Sequence, residues 1–122
     1  MAWILENDRP IYTQIVEKVQ LRVISGFYKE GERLPSVREL AAEAGVNPNT
    51  MQRAFAELER SGLIQTQRTV GRTVTEDGDM IRKIKMELAE EQIRTFMENM
   101  KELGLDKNEI IALLEQACQE GE

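Results

Sequence analysis

"PSVRELAAEAGVNPNTMQRAFAELERSGLI", residues 35–64, holds two helix starts and two helix stops in quick succession. Ser36 and Glu39 stand three apart, the spacing at which a hydroxyl and a carboxylate each bond the other's backbone N–H, and Gly45 closes the short helix they begin. Asn47 then suits the cap of the next helix. Pro48 fits its first turn, where a residue without an N–H loses nothing, and Gly62 ends it. The stretch predicts two short helices joined by a tight turn.

The second of these helices has two faces. At about 100° per residue, with Asn49 at zero, Met51, Ala54, Phe55 and Leu58 fall between about 140° and 240° and form the core side. Asn49, Gln52, Arg53, Ala56 and Arg60 fall within about 60° of zero. Amides and guanidiniums are the groups that read base edges through paired hydrogen bonds, and no carboxylate interrupts the first two turns. Such residues are also ordinary on a solvated helix face, so the neighbouring segments decide between the two readings.

Upstream, "RPIYTQIVEKVQLRVISGFY" spaces Ile11, Ile15, Val19 and Val23 four apart, predicting a helix from Pro10 to Ser25. Ahead of it, Trp3, Ile4 and Leu5 are expected to pack on a partner or on the C-terminal helices. Downstream, "LIQTQRTVGRTVT" is rich in β-branched residues and split by Gly71, which predicts a β-hairpin. Arg68 and Arg72 flank the turn, and no acidic residue lies between Gln65 and Thr75. That tip suits phosphates. Three helices followed by a hairpin is the order of a winged helix-turn-helix, in which the third helix enters the major groove of double-stranded DNA.

The net charge of −6 argues against such a partner, but its distribution does not. Residues 1–75 carry ten Lys and Arg against nine Asp and Glu, a balance of +1, while residues 76–122 carry six against thirteen, a balance of −7. The acidity belongs to the C-terminal third. The fold class expected is mainly α with a small β-hairpin: a winged helix over residues 1–75, a linker at "EDGD", residues 76–79, and two helices over residues 80–122.

Histidine is absent, the single cysteine is Cys118, and no glycine-rich phosphate loop or useful carboxylate pair occurs, so catalysis is not expected. No cofactor and no metal site are expected either. Without a long apolar run there is no membrane span, and without a signal sequence the expected compartment is the cytoplasm. The sequence names no small-molecule effector.

"PIYTQIVEKV", "GERLPSVRELAAEAGVNPNTMQRAFAELERSGLI" and "QRTVGRTV" together resemble the winged-helix domain of GntR-type bacterial transcription regulators over residues 9–75. The short two-helix C-terminal region is similar to that of the YtrA-like branch. The resemblance implies that Arg38 contacts DNA, that Thr50 holds a phosphate at the start of the recognition helix, and that Gly71 is the wing-tip glycine. It also implies a homodimer. Gln52 stands where many relatives carry arginine, and Thr73 where the wing often has an aromatic residue. The DNA-binding set is therefore Arg38, Asn47, Pro48, Asn49, Thr50, Gln52, Arg53, Arg68, Gly71 and Arg72.

Beyond residue 80 the apolar residues form two stripes, one of Ala89, Ile93, Phe96, Met100 and Leu103 and one of Ile81, Ile84 and Leu88. Asp106 and Glu109 predict a capping box for a last helix carrying Ile110 and Leu114. Two helices cannot bury two stripes on each other, so a second copy is expected to cover Ile81, Ile84, Leu88, Ile93, Phe96, Met100, Leu103, Ile110 and Leu114. A symmetric dimer would read an inverted repeat, and bound at a promoter it is expected to act as a repressor by excluding polymerase. The competing expectation is a protein-interaction module, favoured if Glu39, Glu43 and Glu57 dominate the charge around the third helix.

Overall fold

The computed structural model describes residues 2–121. In chain order the elements are α1 (Ile11–Ile24), α2 (Val37–Ala44), α3 (Pro48–Arg60), β1 (Ile64–Gln67), β2 (Gly71–Val74), α4 (Gly78–Glu102) and α5 (Lys107–Glu120). The chain divides into two compact units, one reaching Lys85 and the other starting at Met86.

The first unit is a mainly α winged helix. Both bonds of the α2 capping box form, Glu39 N–H donating to Ser36 Oγ at 3.1 Å and Ser36 N–H to Glu39 Oε1 at 3.2 Å. Gly45 takes φ +75°, a left-handed conformation open to glycine, and an added Cβ would meet the Ala2 Cβ at 2.8 Å. The turn into α3 is thus closed to any larger residue. Asn47 Oδ1 accepts from Asn49 N–H at 2.8 Å, and Pro48 occupies the first turn.

Ile15, Val19, Leu40, Met51, Ala54, Phe55, Leu58 and Leu63 are fully buried in one cluster, which α1, α2, α3 and the hairpin all supply. Each large side chain among them contributes about 1.5–3 kcal/mol of burial. The hairpin is antiparallel, with Ile64 opposite Val74 and Gln67 opposite Gly71. The segment 31–34 lies along its other edge: Gly31 N–H donates to Val74 O at 3.0 Å, Val74 N–H to Glu32 O at 2.9 Å, and Leu34 N–H to Arg72 O at 2.9 Å. Thr73, in place of an aromatic residue, is buried and accepts from Gln67 Nε2 at 3.2 Å.

The N-terminal segment packs differently from expectation. Trp3 N–H donates to Ala44 O at 3.1 Å, and its indole N–H to Glu43 Oε2 at 2.7 Å, so the arm is tied to the end of α2 rather than left for a partner. Gln14 holds the rest: its amide bonds the backbone of Glu6 in both directions, at 2.6 and 2.8 Å. Ile4 stays fully exposed.

The expected linker is partly helical. Asp77 Oδ1 accepts from Met80 N–H at 3.1 Å, so the acidic break starts α4, and Gly78 and Asp79 already belong to it. Ile81 and Ile84, expected to meet a second copy, are half-buried against the first unit's core. The start of the Ile81–Ile84–Leu88 stripe therefore already has an intramolecular partner.

Taken by itself, the second unit has one buried apolar side chain among its described residues, Ile110. Both bonds of the Asp106–Glu109 capping box form, at 2.9 and 3.1 Å. Leu88, Phe96 and Met100 are half-buried, while Ile93, Leu103 and Leu114 are exposed. Among the described residues no helix is long and apolar enough to cross a membrane.

Candidate nucleic-acid interface

Helix α3 separates its two faces as the angular reading requires. Met51, Ala54, Phe55 and Leu58 are buried, and Asn47, Pro48, Asn49, Gln52, Arg53, Ala56 and Arg60 are exposed. Thr50 is half-buried, its N–H donating to Asn47 O at 3.0 Å. The first turn thus presents Asn49, Gln52 and Arg53 to solvent with their backbone fixed by the Asn47 cap.

Arg53 does not project freely. Its guanidinium carbon lies 3.8 Å from the centre of the Tyr12 ring, a cation–π stack between the first turn of α1 and α3. Pro10, Ile11, Tyr12, Asn49, Thr50 and Arg53 line a cleft of about 530 Å³ at this junction. Tyr12 also packs against the core beside the apolar stripe of α1, and spacing alone does not reveal this second role. The available signal is an aromatic residue two positions after Pro10, at the start of the helix.

In the wing, Gly71 has φ +104°, which makes glycine the residue suited to that corner. Arg68 is exposed, with no ion-pair partner among the described residues. Arg72 differs from expectation. Its Nε donates to Glu59 Oε1 at 2.6 Å, and its guanidinium carbon lies 5.2 Å from the Phe55 ring centre. Both side chains are about a quarter to a third exposed, so the pair is partly shielded from water and braces the wing against α3. Arg72 is a strut in this state rather than a free cation.

The acids that would repel a polyanion are engaged. Glu39 belongs to the α2 cap, Glu57 pairs with Arg60, and Glu43 binds Arg22 at 2.6 Å and the Trp3 indole. The Arg22 hydrogen bond holds the Glu43 carboxyl below its ordinary range, with the indole N–H assisting against partial desolvation. Arg38, exposed on α2, has no carboxylate partner among the described residues, since both nearby glutamates are committed elsewhere. Around α3, Glu43, Glu57 and Glu59 are each paired with an arginine, while Arg38 and Arg68 have no ion-pair partner among the described residues and Arg53 stacks on Tyr12.

This geometry agrees with what the chain is similar to. The family model described as "Bacterial regulatory proteins, gntR family" matches residues 11–74. The uncharacterized HTH-type transcriptional regulator YhcF of Bacillus subtilis is 39% identical over 106 residues, covering 87% of this chain and 88% of the relative. The HTH-type transcriptional repressor YtrA of the same organism is 39% identical over 100 residues, covering 82% and 72%. Among solved structures, a GntR family transcriptional regulator from Listeria monocytogenes superposes with a TM-score of 0.84 at 39% identity, over 92% of this chain and 98% of that one. A helix-turn-helix with an amide- and guanidinium-bearing third helix, a braced wing and regulators on every side in sequence lead to one conclusion: the chain belongs to the GntR family of bacterial regulatory proteins and is a DNA-binding transcriptional regulator, not an enzyme.

Proposed function

We propose that this regulator is a repressor that binds an inverted-repeat operator as a homodimer. The observation that carries the reading is the pairing of a polar, solvent-facing first turn on α3 with a second unit whose apolar side chains are largely uncovered. Asn49, Gln52 and Arg53 read base edges in the major groove, with Gln52 the position that sets which bases are preferred. Arg38, Thr50 and Arg68 hold the backbone, while Asn47 and Pro48 fix where α3 begins and Gly71 shapes the wing corner. The wing-tip arginine Arg72 acts through its brace on Glu59.

In the second unit, Leu88, Ile93, Phe96, Met100, Leu103 and Leu114 supply the surface for a second copy. Ile110 supports it from within. Two copies related by a two-fold axis place their recognition helices about one DNA turn apart, which selects an inverted repeat. The repressor named YtrA supports the direction of regulation by likeness. Repression then follows from occupancy of the promoter.

A gel-shift titration with the DNA upstream of the protein's own gene tests this. Arg53→Ala should weaken binding by about 1–3 kcal/mol and relax base preference at one position in each half-site. Equal affinity for the upstream duplex and a scrambled one would sink the specific-repressor reading.

A further inference from the structure

We infer that Arg33, rather than Arg72, is the second phosphate-binding cation of the wing, acting beside Arg68. The inference rests on the reading above, in which the wing lies on the DNA backbone. Sequence position alone favours Arg72, which flanks the wing turn. The structure commits that guanidinium elsewhere, to a charge-assisted bond with Glu59 and to the face of Phe55. Moving it to a phosphate would leave Glu59 unpaired in a partly shielded position.

Arg33 has the complementary set of properties. It is exposed, and its guanidinium has no hydrogen-bond or ion-pair partner among the described residues. Its backbone is held in place by the bridge to Thr73, with Leu34 N–H bonded to Arg72 O and Val74 N–H to Glu32 O on either side. The side chain lies beside the wing corner, Nε standing 3.8 Å from where a Cβ on Gly71 would be. The adjacent Glu32 carboxylate is engaged by Lys29 N–H at 2.8 Å, so it does not take the Arg33 charge. A fixed backbone and an uncommitted guanidinium at the wing corner make a phosphate contact that carries no base information.

The test is the salt dependence of binding by the full chain to a mixed-sequence duplex, followed by fluorescence anisotropy. Each phosphate contact contributes about 0.9 to the slope of log affinity against log salt. Arg33→Gln and Arg68→Gln should each lower the slope by about that amount, and Arg33→Lys should restore it. The double variant Glu59→Gln/Arg72→Gln removes the brace without changing net charge and should lower affinity at every salt concentration, with a smaller change of slope than Arg33→Gln produces. Thermal unfolding of Arg33→Gln should match the parent, because its guanidinium holds nothing together. A parental slope for Arg33→Gln beside a reduced one for Arg68→Gln overturns the inference and leaves the wing's DNA contact standing. Parental slopes for both would mean that the wing does not touch the backbone, and the underlying reading would fall with the inference.

Discussion

Up to Lys85 the chain gathers fifteen buried apolar side chains into one cluster; from Met86 onward Ile110 is the one buried apolar side chain among the described residues, and Ile93, Leu103, Ile111, Leu113 and Leu114 stand 42–70% exposed. Both stretches contain well-capped helices. The difference lies in what the helices have to pack against. In the first unit, three helices and a hairpin contribute to one core that holds the fully buried Phe55, so each apolar stripe meets another. The second unit has helices with more apolar surface than one unit can cover. Local helix signals are therefore sufficient for secondary structure and silent about who completes the packing.

The largest way to break this contrast is to remove its centre. Phe55→Ala should cost the first unit about 3–5 kcal/mol, read as a lower urea midpoint, because a cavity opens where four elements meet. The same kind of truncation at exposed Leu113 should leave that transition unmoved. Next in size, Ile111→Asp with Leu114→Asp should convert the proposed dimer to monomer in sedimentation velocity while the first unit's unfolding transition persists. Retention of the dimer would show that the exposed side of α5 is not the interface.

A smaller effect sharpens the description of the recognition surface. Tyr12→Leu removes the ring beneath Arg53, a cation–π contact of about 0.5–1 kcal/mol, and should narrow discrimination between operator and scrambled DNA by about two- to fivefold. Tyr12→Phe should retain it. The smallest expected effect concerns pH. Because Arg22 holds the Glu43 carboxyl below its ordinary value of 4.5, the stability it contributes is present above that pH and is lost as the pH falls through the lower folded value. Glu43→Gln should therefore be the less stable protein at neutral pH, with the gap closing under acid conditions. A constant gap across that range would show that packing of the arm, not the charge, carries the contact.

The sequence was most legible where a periodic stripe met a chemical cap. Ser36 with Glu39, Asn47 with Pro48, and Asp106 with Glu109 mark helix starts because a backbone N–H must find an acceptor there, and each forms its bond in the structure. The two faces of α3 were legible for the same local reason. Partnerships between distant residues were not. Trp3 reaches Glu43 forty residues away, Arg72 reaches Glu59 across the wing, and Gln14 turns a polar intrusion on an apolar face into an anchor for the N-terminal arm. None of these has a signature in spacing. Arg33 has no such signature either, because its significance depends on Arg72 being engaged by Glu59. Ile81 and Ile84, on the stripe expected to meet a second copy, also pack on the first unit's core, because spacing does not mark where that core ends.

The two faces of α3 have a consequence for how a regulator of this kind changes its targets. The residues that hold the fold, Met51, Ala54, Phe55 and Leu58, and those that face solvent, Asn49, Gln52, Arg53 and Ala56, are interleaved along the same few turns yet share no position. Under the proposed reading, one copy can after gene duplication exchange Gln52 or Ala56 for other polar side chains and acquire a new operator while its folding free energy stays nearly constant. Divergence of a regulatory circuit then proceeds one base pair at a time, through intermediates that all remain folded.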